Sequence, residues 1–228
     1  MNGVRVGLAL ARERLRGPTA LLVLFLSCAV AFAIGVLERR IDPASAADAA
    51  LRFAVFGIAL PLFSYLVSER VCAGMQLERS LDIVARHGAD RRVALVGLLL
   101  TSSACTAFAV ALLAICALLG AHPLHSAALG TDLRASIGIA LLAGSAYALY
   151  FAAAATLGTR GAGRKWALIV DFVLGGGGSA LAAPWPRGHV RNLLGGQPVI
   201  ELSQASAWLA LALIGVACAT LSVARTAE

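Results

Sequence analysis

VALVGLLLTSSACTAFAVALLAICALLGA, residues 93–121, contains no Asp, Glu, Lys or Arg. A helix crossing the ~30 Å hydrocarbon core of a bilayer needs ~20 predominantly apolar residues, so this run is long enough to span. Three further uncharged runs, at 19–37, 135–159 and 202–224, repeat the pattern. Of the 228 residues, 60% are hydrophobic and 14% are charged, and the mean hydropathy is +0.85. A water-soluble domain is near half apolar and about a quarter charged. Too few polar side chains remain here to cover a globule in water, which excludes a soluble enzyme and predicts an all-α integral membrane protein.

Working outward from that run, the sequence predicts one domain over 1–228 with six transmembrane helices, at about 19–37, 51–68, 93–118, 135–157, 166–183 and 205–223. An N-terminal interfacial amphipathic helix is expected at 4–16. There Val4, Leu8, Ala11 and Leu15 form one stripe and Arg5, Arg12 and Arg16 the neighbouring one, before Gly17-Pro18 breaks the helix. The net charge is +7, and the basic residues gather between apolar segments, which points to anionic lipid rather than nucleic acid. Thirteen basic residues fall on the side of the N-terminus, the 2–3 loop, the 4–5 loop and the C-terminus, against six on the other side. By the positive-inside rule both termini face the cytoplasm, in a multi-pass protein of the cell inner membrane. The arginine- and alanine-rich composition suggests a bacterial source.

Several candidate chemistries fail on spacing. Gly144-Ser145-Ala146-Tyr147 places a serine after a glycine within span 4, as in an intramembrane protease. The histidines at 87, 122, 125 and 189 are nevertheless expected in loops, away from it. The stretch from Gly158 to Trp166 carries glycines, Arg164 and Lys165. It lacks the Gly-Lys-Ser/Thr ending of a phosphate loop and reads as a flexible cytoplasmic turn. The five cysteines show no metal or disulfide spacing and read as small packing residues. No catalytic residue, metal ligand or cofactor is assigned to this chain. Helix 4 also carries small residues four apart, at Ala140, Gly144, Ala148, Ala152 and Thr156, which suits close helix packing within one bundle or a dimer face.

Two stretches stand out. Asp171, with Phe172 beside it, lies six residues past Lys165 in span 5, roughly 9 Å into the core. Ionisable residues at such depth usually face a cavity, a partner or water. Asp171 is therefore a candidate for a translocation path or an inter-subunit contact. The competing reading pairs it with Arg164 or Lys165, or lets it reach the cytoplasmic surface. Gly175 to Gly178 follow in the same span and suggest a kink, a re-entrant break or close helix contact. The second stretch is the 2–3 loop, 69–92, read as a helix extending into the cytoplasm. Leu77, Leu81 and Val84 share a face, and Gly88 offers a C-terminal stop. Glu78, Arg79, Ser80, Leu81 and Asp82 form a candidate docking knob for a soluble subunit, with Leu81 as its apolar anchor.

This organisation resembles the ABC-2-type ABC transporter permeases, which have an interfacial N-terminal helix, six spans and a cytoplasmic 2–3 segment that docks on the ATPase. Their 5–6 connection re-enters the outer leaflet. In that family the 2–3 segment often reads Glu, two residues, Gly-Thr-Leu-Glu, several residues, Pro and a basic residue. The matching stretch here is Glu78-Arg79-Ser80-Leu81-Asp82, with Gly88 and Arg91 downstream. Arg79 stands for the Gly, Ser80 for the Thr, Asp82 for the Glu and Gly88 for the Pro. The layout is also similar to the haem-exporter-like permease subunit of cytochrome c maturation. The resemblance implies a permease, exporting by expectation, that dimerises with a second permease protomer and is driven by separate cytoplasmic ABC ATPase subunits, which hold ATP and Mg. Two other classes fit the residues: a proton-coupled secondary transporter using Asp171, and a non-transporting membrane scaffold or assembly factor.

Overall fold

The computed structural model describes residues 3–226, and among these every regular element is helical. Helix α1 (Gly3–Leu15) covers the stretch expected to be helical at 4–16, and Pro18 opens α2 (Pro18–Ile41) at a position where its missing N–H costs nothing. After α2, Asp42 accepts hydrogen bonds from the Ser45 hydroxyl (2.6 Å) and the Ala44 N–H (3.1 Å). These contacts hold its carboxyl below the usual carboxylate range and fix the corner. A continuous helix then runs through α3 (Ala46–Ala49), a π-helical stretch (Ala50–Ala59) and α4 (Leu60–Val71). Short helices α5 (Leu77–Ser80) and α6 (Asp82–Arg86) precede the two longest, α7 (Arg91–Ala121) and α8 (Ala127–Ala154). Finally come α9 (Gly163–Leu174), α10 (Pro186–Leu193) and α11 (Gln204–Arg225).

Among the described residues, five helices are long and apolar enough to cross a membrane: α2, the continuous helix Ala46–Val71, α7, α8 and α11. The chain is an all-α, multi-pass membrane protein. Large side chains such as Leu21, Phe25, Leu209 and Val216 stand exposed on α2 and α11, as lipid-facing residues do. The span expected at 166–183 is not one helix. Helix α9 stops at Leu174, and its 12 residues reach about 18 Å, short of a ~30 Å core. The four glycines after it supply no side chain to hold helical backbone, which is the local reason for the break.

Packing centres on α7, where close approach is made by glycine. A Cβ on Gly7 would sit 1.8 Å from the Ala94 carbonyl oxygen, and one on Gly97 would sit 2.2 Å from that of Val4. Helix α1 thus lies directly on the start of α7. The far half repeats the device, with Gly35 against Ala117 and Gly120 against Phe32. Gly144 of α8 meets Ala107 at the middle. The small-residue stripe of α8 is buried throughout, from Ala140 to Thr156, so it serves packing inside this chain. Helices α8 and α11 run parallel, since Gly138 lies against Trp208 and Gly215 against Ala146. The chain between them must therefore return from one end of the bundle to the other.

The 69–92 stretch also departs from a single helix. The chain turns after Val71 through Ala73 and Gly74, both at positive φ, and α5 and α6 meet at Leu81. Gly88 ends α6 as the sequence suggests: at φ +75° its N–H bonds the Ala85 carbonyl, while the Ala89 N–H bonds that of Val84.

Replacing Gly7 with Val drives side-chain atoms into the α7 backbone and should destabilise the fold by about 1–3 kcal/mol, as overpacking does. Gly130→Ala, which meets open space, should leave the melting temperature unchanged. Thermal unfolding in detergent micelles compares the two. Equal melting temperatures would refute the packing of α1 on α7.

Candidate functional site

Asp171 is fully buried, near the C-terminal end of α9. Its Oδ2 accepts a hydrogen bond from the Tyr147 hydroxyl of α8 at 2.8 Å, and its Oδ1 accepts the main-chain N–H of Arg187, on α10, at 3.3 Å. Phe172 lies under the Arg187 guanidinium, 4.2 Å from ring centroid to Cζ. One carboxyl therefore joins three helices, and Asp171 and Phe172 do come together, both against α10. The pairing with Arg164 or Lys165 weighed from the sequence is not formed. Arg164 is bound elsewhere, and Asp171 does not reach a surface.

The contacts of α10 place it inside the bundle. Trp185, one residue before α10, makes an edge contact with Tyr150 of α8 (6.3 Å), and the Tyr150 hydroxyl bonds the Ala167 carbonyl of α9. The other end of α10 returns to the start of the second long helix, where Arg52 bonds the Leu194 carbonyl at 3.1 Å. Residues 175–194 thus dip back between α8 and the π-helical stretch, with His189, 1% exposed, inside α10 rather than in a loop. His189 Nε2 lies 2.8 Å from the Ala183 carbonyl. Ser145, by contrast, bonds its own helix at the Leu141 carbonyl.

The π-helical stretch is the second unusual element. Leu60 bonds back to the Val55 carbonyl, one residue further than in an α-helix, and Pro61 beyond it has no N–H to donate. Such wide turns are most often short and occur frequently at functional sites. Here the wide stretch carries Arg52, Phe56 and Gly57 into a cavity of about 300 Å³, whose other wall includes Arg187 and Arg191 of α10.

At the opposite end of the bundle lies the expected docking segment. Leu77, Ser80, Leu81 and Val84 are buried within this chain, against Ala11, Val71, Cys72 and Leu95. Leu81 is therefore core, not an anchor offered to a partner, because the shared face of Leu77, Leu81 and Val84 turns inward. Arg79, Ile83, Arg86 and His87 are exposed, with Glu78 and Asp82 at the edge; Asp82 pairs with Arg91 at 2.9 Å.

This segment is fastened on two sides. Arg14 of α1 donates to the Ser80 carbonyl at 2.9 Å. Arg164, 1% exposed at the head of α9, pairs with Glu69 at 2.7 Å and bonds the Met75 carbonyl at 3.0 Å. The Leu77 N–H bonds the Ala155 carbonyl, and Gln76 bonds that of Gly158. The supposed flexible turn around Arg164 is thus a locked joint. Sequence reasoning missed Arg164, Tyr147 and the arginines at 52, 187 and 191. Arg52 inside a span, and two arginines four apart beside Pro184-Trp185-Pro186, were the available signals.

Compared with protein-family models, with curated proteins and with solved structures, the chain matches none.

Both Asp171 oxygens face donors, so Asp171→Asn should turn an amide N–H toward one of them and cost about 1–3 kcal/mol. A double-mutant cycle of Asp171→Asn with Tyr147→Phe, read by unfolding in micelles, should show coupling of about 1 kcal/mol or more. Additive single effects would refute the contact.

Proposed function

We propose that this chain is the membrane-spanning permease subunit of an ABC-2-type exporter. It forms a translocation path as a dimer with a second permease protomer and is driven by separate ATPase subunits carrying ATP and Mg. The observation that carries the reading is the mechanical continuity from the 69–92 segment to the broken helix. Glu69 and the Met75 carbonyl grip Arg164 at the head of α9, and Asp171 at its other end grips α10. A partner pushing on the exposed face of α5 and α6 would move α9 and, through Asp171 and Phe172, the re-entering α10.

In this reading the chain crosses six times, the fifth crossing being α9 with the glycine run after it. The parallel packing of α8 and α11 supports that count, since an extra traverse must lie between them. Both termini and the 69–92 segment then face the cytoplasm, in agreement with the basic residues. The docking surface is revised to Arg79, Ile83 and Arg86, with Glu78 and Asp82 at its rim. Interface energy concentrates in a few residues, and Ile83, 52% exposed, is the apolar one available.

A proton-coupled transporter with Asp171 as relay is favoured by one observation, the buried hydroxyl–carboxyl contact with Tyr147. The second Asp171 oxygen is taken by the α10 backbone, which suits a fastening better than a relay.

Single cysteines at His87 and Leu124, both exposed, should react with impermeant reagents from opposite sides of the membrane. Labelling from one side would overturn the six-crossing topology. The wild-type chain purified from its native host should carry an ATPase with a phosphate-loop sequence, identified by mass spectrometry. Arg79→Glu with Ile83→Asp should leave the permease folded and reduce ATPase recovery about ten-fold or more. Undiminished recovery would overturn the docking surface, and no ATPase with the wild type would overturn the transporter reading.

A further inference from the structure

Three arginines meet at the end of the bundle remote from α1: Arg52 on the π-helical stretch, and Arg187 and Arg191 on α10. None of them makes a salt bridge among the described residues. Their protein contacts are carbonyls: Arg52 to Leu194, and Arg191 to Gly176 and Gln197. Arg187 stacks on Phe172. One nitrogen on each is buried and has no acceptor: Arg52 Nε, Arg187 Nη1 and Arg191 Nε. Arg191 is near enough to both Arg187 and Arg52 to be repelled by their charges. Asp171, the acid beside Arg187, already serves Tyr147 and the Arg187 main chain with its oxygens, and Asp48, one helical turn before Arg52, forms no salt bridge with it among the described residues.

A fold that gathers three guanidinium groups in a membrane protein with no salt bridge to any of them among the described residues leaves positive charge unanswered, and such groups usually have a partner. The cavity between them is about 300 Å³ and also lined by Phe53, Phe56, Ile58 and Leu194, at the small end of ligand clefts. Phe53 and Ile58 are exposed on the bundle's outer side, where lipid would lie. Guanidinium groups match the oxygens of phosphate in fork geometry. We infer that this cavity binds a phosphate-type anion, with the headgroup of an acidic phospholipid as its source and the apolar rim against the acyl chains. The glycines at 57 and 176 fit this role, because they leave the space beside the arginines unfilled. The inference does not depend on the transporter reading.

The test titrates the full-length protein in detergent with phosphatidylglycerol or phosphatidylcholine, with bound lipid read by native mass spectrometry. The wild type should bind phosphatidylglycerol about ten-fold tighter. Arg187→Gln removes an orphaned guanidinium while leaving the main-chain bond to Asp171 in place, and should abolish the preference; Arg187→Lys should keep part of it. Ile58→Trp retains all three arginines but crowds the rim, and should weaken phosphatidylglycerol binding in a protein whose melting temperature is unchanged. This second variant carries the test if Arg187→Gln fails to fold. Inorganic phosphate, titrated alone by calorimetry, distinguishes the sources. If phosphate binds in an Arg187-dependent manner without any lipid preference, the anion site stands and the headgroup assignment falls. A phosphatidylglycerol preference that survives both variants, or neither phosphate nor phosphatidylglycerol binding above phosphatidylcholine, would overturn the proposal.

Discussion

Lipid offers helices no hydrophobic reason to associate, because the acyl chains are as apolar as leucine. What remains is close contact between surfaces that fit, and this molecule obtains it by bringing backbones together over α7. Gly97 admits α1, Gly120 admits α2, and Ala107 receives Gly144 of α8. Each contact places main-chain atoms where any side chain would stand. Once α8 is set against α7 in this way, Tyr147 and Tyr150 face the remaining gap, and the positions of α9 and α10 follow from them.

That gap is closed by polar groups. A backbone that leaves helical form within a bilayer needs other partners for its N–H and carbonyl groups, and it is tolerated where protein surrounds it. The dipping segment meets the requirement in part with side chains. Arg52 covers the Leu194 carbonyl, Arg191 those of Gly176 and Gln197, and Asn192 that of Leu202. Asp171 in turn covers the N–H of Arg187 near the start of α10. Charged side chains here act as substitutes for helical hydrogen bonds, and their remaining hydrogen-bonding capacity is what makes the cavity polar.

The long helices were legible because apolar run length is a direct consequence of bilayer thickness. Boundaries moved where polar residues found partners. Helix α8 begins at Ala127 rather than near 135 because Asp132 meets His122 at 2.8 Å, so charge before the apolar run does not stop the helix. The glycine run after Asp171 was open to a break, a kink or close helix contact while the span was drawn through it to 183, whereas the helix ends at Leu174; Gly88 was read as the stop that it is. The direction of the Leu77–Leu81–Val84 face could not be read, since an apolar stripe looks the same whether it packs on its own chain or on a partner. Arg164 was misread for a similar reason: a basic residue in a short loop satisfies the charge rule whether solvated or, as here, buried against Glu69. The arginines at 52, 187 and 191 lie far apart in the chain, and only the return of α10 brings them together.

The fastening of α9 has a consequence for biogenesis. This helix is shorter than a bilayer crossing, and its Arg164 and Asp171 are both buried in the finished protein. Their side-chain partners, Glu69 with the Met75 carbonyl and Tyr147, all precede α9 in the sequence. A ribosome delivering the chain from its N-terminus has therefore made every one of those partners before α9 emerges. The order of synthesis lets a segment too short and too polar to settle in lipid by itself be received by a scaffold of four long helices already made.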